Sequence, residues 1–494
     1  MKKRRAPLRF LAFILAAGTM VLAADRLSPD AQKGFDSIQP FEAYTYCKIL
    51  ASEKFAGRLT GDVGYTEAAK WAASKFKEWG LKPFSKEAGF LQAYPSPYVI
   101  IDEAEMTIWV EERVEGKGEK DSAVKEVKLQ PETEFLPLLF SDSGDHSGDF
   151  IFAGWGISAP ELGYDDYSGL DVKGKFVLCF RGTPDPADRR FELHDHHRTR
   201  MKTAKDKGAL GIIYIYDEIA SNPNGDLIEG FTPAEITTKV ADMILKEKGI
   251  QAADLRKDLL TFKRPLSFPL KSRARLKVAA RPFPNGTGYN VVGWVEGSDP
   301  RLRREGLVFG GHFDHNGRHM GLLFPGADDN ASGSAAILEI AQAFSRMSKK
   351  PKRSVVFALF GGEEMGLMGS TYFADRLPPG IDKVDTMFNF DMVGEGDRSG
   401  FGYSDGVPEL KALLEASDKM VGTLDGSYAI KGVGVRGSDH APFYQKGIPV
   451  VSFHSNGPHL HYHLSGDTIY RINPDMLADV ARLAFVAGVA RADR

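Results

Sequence analysis

Residues 354–370 read SVVFALFGGEEMGLMGS, and this stretch indicates the fold class. Its apolar run, residues 355–360, has the length and the β-branched and aromatic content of a buried strand. Two adjacent acids, Glu363 and Glu364, follow at once, and the glycines around them are Gly361, Gly362 and Gly366. Acids after a strand are usually solvated, but glycines allow a sharp turn at its carboxyl end. Because open α/β sheets carry their sites at that edge, the stretch predicts an α/β fold with a functional acidic pair.

A β/α pattern continues on both sides of this stretch. The strand-like runs are NVVGWVEG (290–297), GLVFGGHFD (306–314), SVVFALFGG (354–362), VDTMFNFDMVG (384–394) and IPVVSFH (448–454). Residues 330–347, NASGSAAILEIAQAFSRM, predict a helix with Asn330 as N-cap, and a second amphipathic helix follows NPD at 473–475. We therefore expect a sheet with helices packed against it.

The chain divides into segments of different character. Residues 135–282 contain short β-type runs such as DFIFAGWGI, GKFVLCF and GALGIIYIY, which indicate an insert with its own small core. We expect residues 25–134 to be the N-terminal part of the main domain and residues 283–494 to complete it. The charge-dense stretch 111–128 within the first part is typical of a solvated hairpin or loop.

The first 24 residues have the composition of a secretory signal peptide. Five basic residues precede or border an apolar run of fifteen residues, 10–24, which is shorter than the roughly 20 residues of a membrane helix. An uncleaved membrane anchor is the alternative. Cleavage after residue 24 would remove five basic side chains and change the formal charge from −3 to −8, which argues against a nucleic-acid partner. Cys47 and Cys179 are too few for a disulfide framework, and whether they pair stays open.

Histidines and acids follow the predicted strands repeatedly in the second half. The segments are GGHFDHNG with His312 and Asp314, PGADDNASG with Asp328 and Asp329, GGEE with Glu363 and Glu364, NFDMVG with Asp391, and HLHYHLSGDT with His459, His461 and His463. Each element alone is a weak signal, and an Asp pair before a helix is more typical of a helix N-terminus. Together they supply the His/carboxylate set of a two-zinc hydrolytic site.

The adjacent glutamates can divide two tasks. Neighbouring residues of an extended segment point to opposite sides, so one glutamate can bind a metal while the other faces the attacking water as general base. An Asp two residues after a metal-binding His, as in His312 and Asp314, is suited to hold the other ring nitrogen.

The order of these motifs resembles the co-catalytic di-zinc aminopeptidase family, which also includes glutamate carboxypeptidase-like enzymes. The matching segments are HFD, GADDNASG, GGEEMGLMGS, NFDMVG, SDHAPF and the late YH, together with ASEKFAGRLTG near the N-terminus. Residues 135–282 resemble the protease-associated domain that many of these enzymes carry. The resemblance implies a zinc exopeptidase fold, a mixed β-sheet sandwiched by helices with an inserted small β-rich domain.

The resemblance also implies a role for each site residue. His312 and Asp391 would bind one zinc, Glu364 and His463 the other, and Asp328 would bridge them; Glu363 matches the general base, Asp314 the acid that orients His312, and Tyr462 the oxyanion-stabilising position. Asp329 would be the helix-starting neighbour of the bridge and not a ligand. His463 is preferred to His459 and His461 because Tyr-His followed shortly by Asp-Thr fits the end of the family pattern.

The implied function is an exported metallo-aminopeptidase, periplasmic or extracellular, with two Zn²⁺ per chain and peptides as substrates. The oligomeric state stays open, no stable membrane association is expected after signal cleavage, and mixed His/carboxylate sites also accept Mn²⁺ or Co²⁺. One alternative is a carboxypeptidase that grips the substrate carboxylate with an arginine such as Arg436. Another, of a different class, is a non-catalytic receptor-like binding protein.

The first half of the chain contains a further histidine cluster, His194, His196 and His197. We interpret it as a solvated loop, and a second metal-binding tract is the alternative.

Overall fold

The structure, a computed structural model, describes residues 27–113, 122–397, 401–403, 408–422, 428–429 and 437–494. The signal peptide expected over residues 1–24 and the candidate Arg436 lie outside the described residues. None of the described helices is both long enough and apolar enough to span a membrane.

The strands are numbered in chain order. They are β1 Lys82–Pro83, β2 Leu91–Pro95, β3 Tyr98–Arg113, β4 Ser122–Lys128, β5 Phe135–Pro137, β6 Gly144–Ala153, β7 Ser158–Ala159, β8 Tyr164–Asp165, β9 Phe176–Phe180, β10 Gly211–Tyr216, β11 Ala234–Thr237, β12 Ser267–Phe283, β13 Thr287–Val295, β14 Glu305–His312, β15 Arg318–His319, β16 Leu322–Leu323, β17 Ser354–Phe360, β18 Lys383–Phe390, β19 Phe401–Tyr403, β20 Tyr428–Ala429 and β21 Val450–Ser455.

The α-helices are numbered in the same way. They are α1 Pro29–Ser37, α2 Pro40–Leu50, α3 Val63–Glu78, α4 His197–Asp206, α5 Thr238–Leu245, α6 Ala252–Phe262, α7 Gly333–Ser345, α8 Met368–Asp375, α9 Pro408–Val421, α10 Ala441–Gln445 and α11 Pro474–Ala492.

The main sheet runs in the order β1-β13-β17-β14-β18-β21-β19-β20, with β2 also paired to β13. Its centre, β17-β14-β18-β21, is parallel, and β13 and β19 flank it antiparallel. One face packs against α2, α3, α7, α9 and α11, and the other face against α8 and α10. All five strands expected in the second half are confirmed. The fold is the expected mixed sheet between helices.

Parallel strands place four chain exits at one edge of this sheet. Residues 312, 361–364, 391 and 454 therefore lie at a common edge, although they are up to 142 positions apart in sequence. The turn after β17 depends on glycine as expected, because Gly362 has φ +66° and Gly366 has φ +109°.

A second sheet forms a separate core, and its bounds differ from the expected ones. Its order is β4-β3-β12-β6-β9-β10-β11-β5. Strands β3 and β4 were expected in the main domain, but β3 pairs with β12 along its length and buries Met106, Ile108 and Val110 in the second core. The insert segment therefore begins at residue 98 and not at residue 135. Its first strand, β3, pairs with β12, which lies about 170 positions later in the chain. We call residues 98–283 the insert domain.

Two further expectations are resolved by this arrangement. The charged stretch 111–128 is part of a hairpin, with β3 paired antiparallel to β4 and residues 114–121 outside the described residues. Cys47 and Cys179 are buried in different cores and unpaired.

Asn330 makes the capping hydrogen bond that was expected and also joins two strand ends. Helix α7 begins at Gly333. The side-chain nitrogen of Asn330, Nδ2, donates to the carbonyls of His312 (3.1 Å) and Phe390 (2.8 Å). Its side-chain oxygen accepts from the Gly333 amide (3.0 Å). Asn330 thus ties the ends of β14 and β18 to the start of α7, which fixes two of the chain exits relative to each other.

Arg58 fixes the loop after β14 from within the core. Its guanidinium is fully buried and donates to the carbonyls of Phe313 (2.6 Å), Leu50 (2.6 Å), Pro325 (2.8 Å) and Gly326 (2.8 Å). Since three of these carbonyls lie at the two ends of the loop and the fourth, of Leu50, ends α2, one side chain holds residues 313–326 against the helical layer.

We expect Arg58→Met to lower the free energy of unfolding by more than about 3 kcal/mol, because several buried carbonyls lose their donor at once. Urea denaturation followed by circular dichroism measures the change. Arg301→Met, at an exposed position, is the control and should change stability by less than about 0.5 kcal/mol. A loss at Arg58 as small as the control's would show that the loop is held by other contacts.

Candidate metal centre

Seven ionisable side chains converge in a cleft at the carboxyl edge of the main sheet. They are His312, His315, Asp329, Glu363, Glu364, Asp391 and His463. The cleft contains a cavity of about 220 Å³, lined by His312, Asp329, Glu363, Glu364, Asp391, Met392, Gly437, Ser438, Ser452, His454, Tyr462 and His463. The fold therefore brings together residues from five separate segments of the sequence.

His312, Asp391 and Asp329 form one half of the cluster. The His312 Nε2 atom lies 3.4 Å from Asp391 Oδ1 and 3.3 Å from Asp329 Oδ1. The other ring nitrogen, Nδ1, lies 3.2 Å from the main-chain carbonyl oxygen of Asp314 and 3.7 Å from its carboxylate. Asp314 thus contacts Nδ1 of His312, the ring nitrogen that it was expected to hold. Its main-chain carbonyl lies closer to that nitrogen than its carboxylate does.

Glu364 and His463 form the other half, again with Asp329. The His463 Nε2 atom lies 3.0 Å from Glu364 Oε2 and 3.3 Å from Asp329 Oδ2. His315, which sequence reasoning did not assign, lies 2.7 Å from Glu364 Oε1 through Nδ1. The available signal was a second histidine three residues after His312, in the same loop.

Asp329, not Asp328, lies between the two halves, so the expectation of a bridging Asp328 was wrong. The Asp328 carboxylate faces away: Oδ1 accepts from the amides of Gly394 and Glu395 (both 2.9 Å), and Oδ2 lies 2.6 Å from His459 Nδ1. Adjacent residues in this turn point to opposite sides, and the turn presents the second aspartate to the cleft. His459, a rejected alternative to His463, belongs to the Asp328 contact.

Asp467 sets this orientation of the aspartate pair. Its two carboxylate oxygens accept the amides of Asp328 (2.8 Å) and Asp329 (3.0 Å). Because both amides of the turn are held, neither aspartate side chain can exchange places with the other without breaking a buried hydrogen bond.

Glu363 and Tyr462 border the cavity beside the metal-type ligands. A ligand atom of Glu363 lies within 4.8 Å of those of His312 and Glu364, and its amide contacts Asp314 Oδ1 at 3.3 Å. The Tyr462 ring stacks on His463 with centroids 3.9 Å apart and is 54% exposed. Both side chains can therefore reach a molecule bound in the cavity.

The electrostatics of the cleft are those of a cation site. Burial disfavours the charged imidazole, yet the surrounding carboxylates outweigh it and raise the pKa of His312 well above its usual value and that of His463 to about 10. Burial also raises the pKa of Glu363, and nearby acids add to this effect. Four carboxylates drawn together in one buried place attract positive charge strongly.

The residues fit bound metal ions. Ligand atoms about 2.0–2.2 Å from a tetrahedral zinc lie roughly 3.3–3.6 Å from one another. Three of the observed distances, 3.3–3.4 Å, match that spacing, and the fourth, between His463 and Glu364, is shorter at 3.0 Å. Asp329 faces a different histidine with each of its oxygens, which is the arrangement of a carboxylate shared by two ions.

The histidines of the insert domain do not join this cluster. His196 is exposed and His194 contacts Glu161 at 2.8 Å. His197, in contrast to the solvated loop that we expected, is 4% exposed and packs edge-on against Tyr214 with centroids 4.9 Å apart. Residues 196 and 197 lie at the start of α4, and the helix turns the second ring into the core.

The sheet and the cluster at its carboxyl edge define a metallohydrolase domain of the α/β class. Residues 290–487, which hold all seven cleft residues, match the profile of Peptidase family M28. The insert domain is outside the match.

The chain is also similar to curated proteins and to a solved structure. The chain is 24% identical to Aminopeptidase YwaD of Bacillus subtilis over 96% of its own length and 91% of the relative's. It is 36% identical to Leupeptin-inactivating enzyme 1 of Streptomyces exfoliatus over 33% of this chain and 35% of that one. The structure of BSAP, a zinc aminopeptidase from Bacillus subtilis, superposes with a TM-score of 0.63 at 20% identity and covers 92% of this chain and 96% of that chain. This last likeness shows that the fold is shared.

Proposed function

We propose that the chain is an exported, zinc-dependent aminopeptidase that holds two zinc ions and removes N-terminal residues from peptides. The observation that carries the proposal is the position of Asp329, with one oxygen 3.3 Å from His312 and the other 3.3 Å from His463. The names of the relatives, which include a zinc aminopeptidase, support zinc as the metal. The basic and apolar segment 1–24 supports export.

Five side chains would hold the ions. His312 and Asp391 would bind one, Glu364 and His463 the other, and Asp329 would be shared. Zinc ions in such a pair activate water for attack and polarise the scissile carbonyl. His315 and Asp314 would orient Glu364 and His312 through the contacts described above.

Glu363 and Tyr462 would act on the substrate. Glu363 would accept a proton from the attacking water at a carboxylate oxygen and pass it to the leaving amine. The Tyr462 hydroxyl would donate a hydrogen bond to the oxyanion that develops on the scissile carbonyl, a contact worth about 3–4 kcal/mol in hydrolases. Both side chains border the cavity, as these roles require.

The cavity favours cleavage at the amino end. Its described lining contains four carboxylates and no arginine, so a cationic α-amino group is attracted where a substrate carboxylate would be repelled. The described lining encloses about 220 Å³, which is below the roughly 300–1,000 Å³ of drug-sized sites and suits the end of a peptide better than its middle. A carboxypeptidase would need an arginine such as Arg436, which lies outside the described residues, to bind the substrate carboxylate. A receptor-like protein would have lost metal ligands, whereas all five ligand positions of this chain hold a histidine, aspartate or glutamate.

We expect N-acetylation of a peptide to lower kcat/KM by roughly 10- to 150-fold, because acetylation removes a charge-assisted hydrogen bond worth about 1.5–3 kcal/mol. C-terminal amidation of the same peptide is the matched control and should leave kcat/KM within about threefold. Products identified by mass spectrometry check the site of cleavage. Free cleavage of N-acetylated peptides together with resistance of the amides would contradict the proposal and favour a carboxypeptidase.

A further inference from the structure

The insert domain touches the two loops that carry Glu364 and His463, which are the two unshared ligands of one half of the metal centre. No part of that domain supplies a side chain to the described cavity lining. It contacts the main chain of both loops and the side chain of Met365, and so affects the positions of the two ligands.

The loop of His463 is joined to the insert domain as a strand would be. The Ser221 amide donates to the His463 carbonyl at 2.9 Å, and Ala220 forms an antiparallel bridge with Leu464. Glu235, 1% exposed on β11, accepts the Ala220 amide at 2.7 Å and so fixes residues 220–221 to the second sheet. A rigid sheet therefore holds the main chain of a metal-type ligand.

The loop of Glu364 is held by the hydrophobic packing of one side chain and by a hydrogen bond from another. Met365, directly after Glu364, is 4% exposed and packs within the hydrophobic core of the insert domain. The Arg198 Nη2 atom donates to the Met365 carbonyl at 2.9 Å, while Nε is held by Asp226 at 2.7 Å. The main chain next to the ligand is thus held by the insert domain on two sides.

The other half is supported differently. His312 is the last residue of β14, a central strand of the main sheet, and Asp391 follows β18. The main chain of both is tied by main-domain contacts, the His312 carbonyl to Asn330 and the Asp391 amide to the Phe453 carbonyl. The support of the two halves is therefore unequal.

We propose that the insert domain positions Glu364 and His463 and thereby sets the metal affinity of that half alone. Ser221, Arg198 and Met365 are positioning residues in this proposal, since none of them touches the reacting atoms. The inference rests on the proposed function, because it takes the two halves to be metal sites.

The test compares metal binding at each half in the full-length protein. Ser221→Pro removes the amide that holds the His463 carbonyl, and Ser221→Ala, which keeps the amide, is the matched control. Each is combined with Asp391→Asn, which leaves the Glu364/His463 half to bind, and with Glu364→Gln, which leaves the other half. Zinc affinity is measured by competition with a chromophoric chelator, and thermal melting of the metal-free proteins checks folding.

We expect Ser221→Pro to weaken zinc binding by about 10- to 100-fold in the Asp391→Asn background and by less than about twofold in the Glu364→Gln background. Arg198→Ala, which alters no backbone, should give the same selective loss and decides the matter if Ser221→Pro does not fold. Arg256→Ala, an exposed arginine of the insert domain, should leave both affinities unchanged.

Two outcomes would overturn the inference. One is unchanged affinity at the Glu364/His463 half, and the other is an equal loss at both halves, which would indicate general destabilisation. Both are distinct from failure of the proposed function, in which the unmodified protein itself would bind no zinc.

Discussion

Replacement of Glu363 by glutamine is expected to lower kcat/KM at least about 10²-fold while zinc content stays near that of the unmodified protein. Glutamine has the shape of glutamate but cannot accept the proton of the attacking water. Glu363 borders the cavity with a ligand atom within 4.8 Å of those of His312 and Glu364, whereas the His463 ring contacts Glu364 (3.0 Å) and Asp329 (3.3 Å). The loss should therefore affect the chemical step and not the metals.

Glu364→Gln is the matched comparison for this prediction. Glu364 contacts both His463 (3.0 Å) and His315 (2.7 Å), so its substitution should remove metal from one half. Metal analysis and steady-state kinetics of both variants check the pair. If Glu363→Gln lost zinc and Glu364→Gln retained it, the two roles would have to be exchanged.

Asp329→Asn should lower activity by more than about 10²-fold and weaken zinc binding at both halves, since a shared ligand loses its charge. Asp328→Asn should lower activity by less than about tenfold, because the asparagine oxygen can still accept the amides of Gly394 and Glu395 and only the contact with His459 is weakened. Kinetics and zinc content of the two variants give the comparison. The reverse order of effects would restore Asp328 as the shared ligand and contradict the placement of Asp329 between the two histidines.

This pair of aspartates also marks a limit of sequence reasoning. The positions of His312, Glu364, Asp391 and His463 could be predicted because each follows a strand or a recognisable motif, and parallel strands deliver such residues to one edge. The choice between Asp328 and Asp329 depends on the direction of the turn, which Asp467 sets from a loop 138 positions away. Sequence spacing contains no information about that contact.

The insert domain shows the same limit at a larger scale. Its central runs were recognised from their composition, but β3 and β4 were assigned to the main domain because their partner β12 is distant in sequence. His197 was interpreted as part of a solvated loop, whereas α4 turns its ring towards Tyr214. Pairing between distant segments and the rotation of a helix decided these cases, and neither follows from local pattern.

The most direct test of the central claim is a zinc titration of the chelator-treated protein, with cleavage of a peptide that has a free N-terminus as the readout. A pair of ions that share Asp329 predicts no activity without metal and full activity at about two equivalents of zinc per chain. Full activity of the metal-free protein, or saturation of activity at one equivalent of zinc per chain, would contradict the claim.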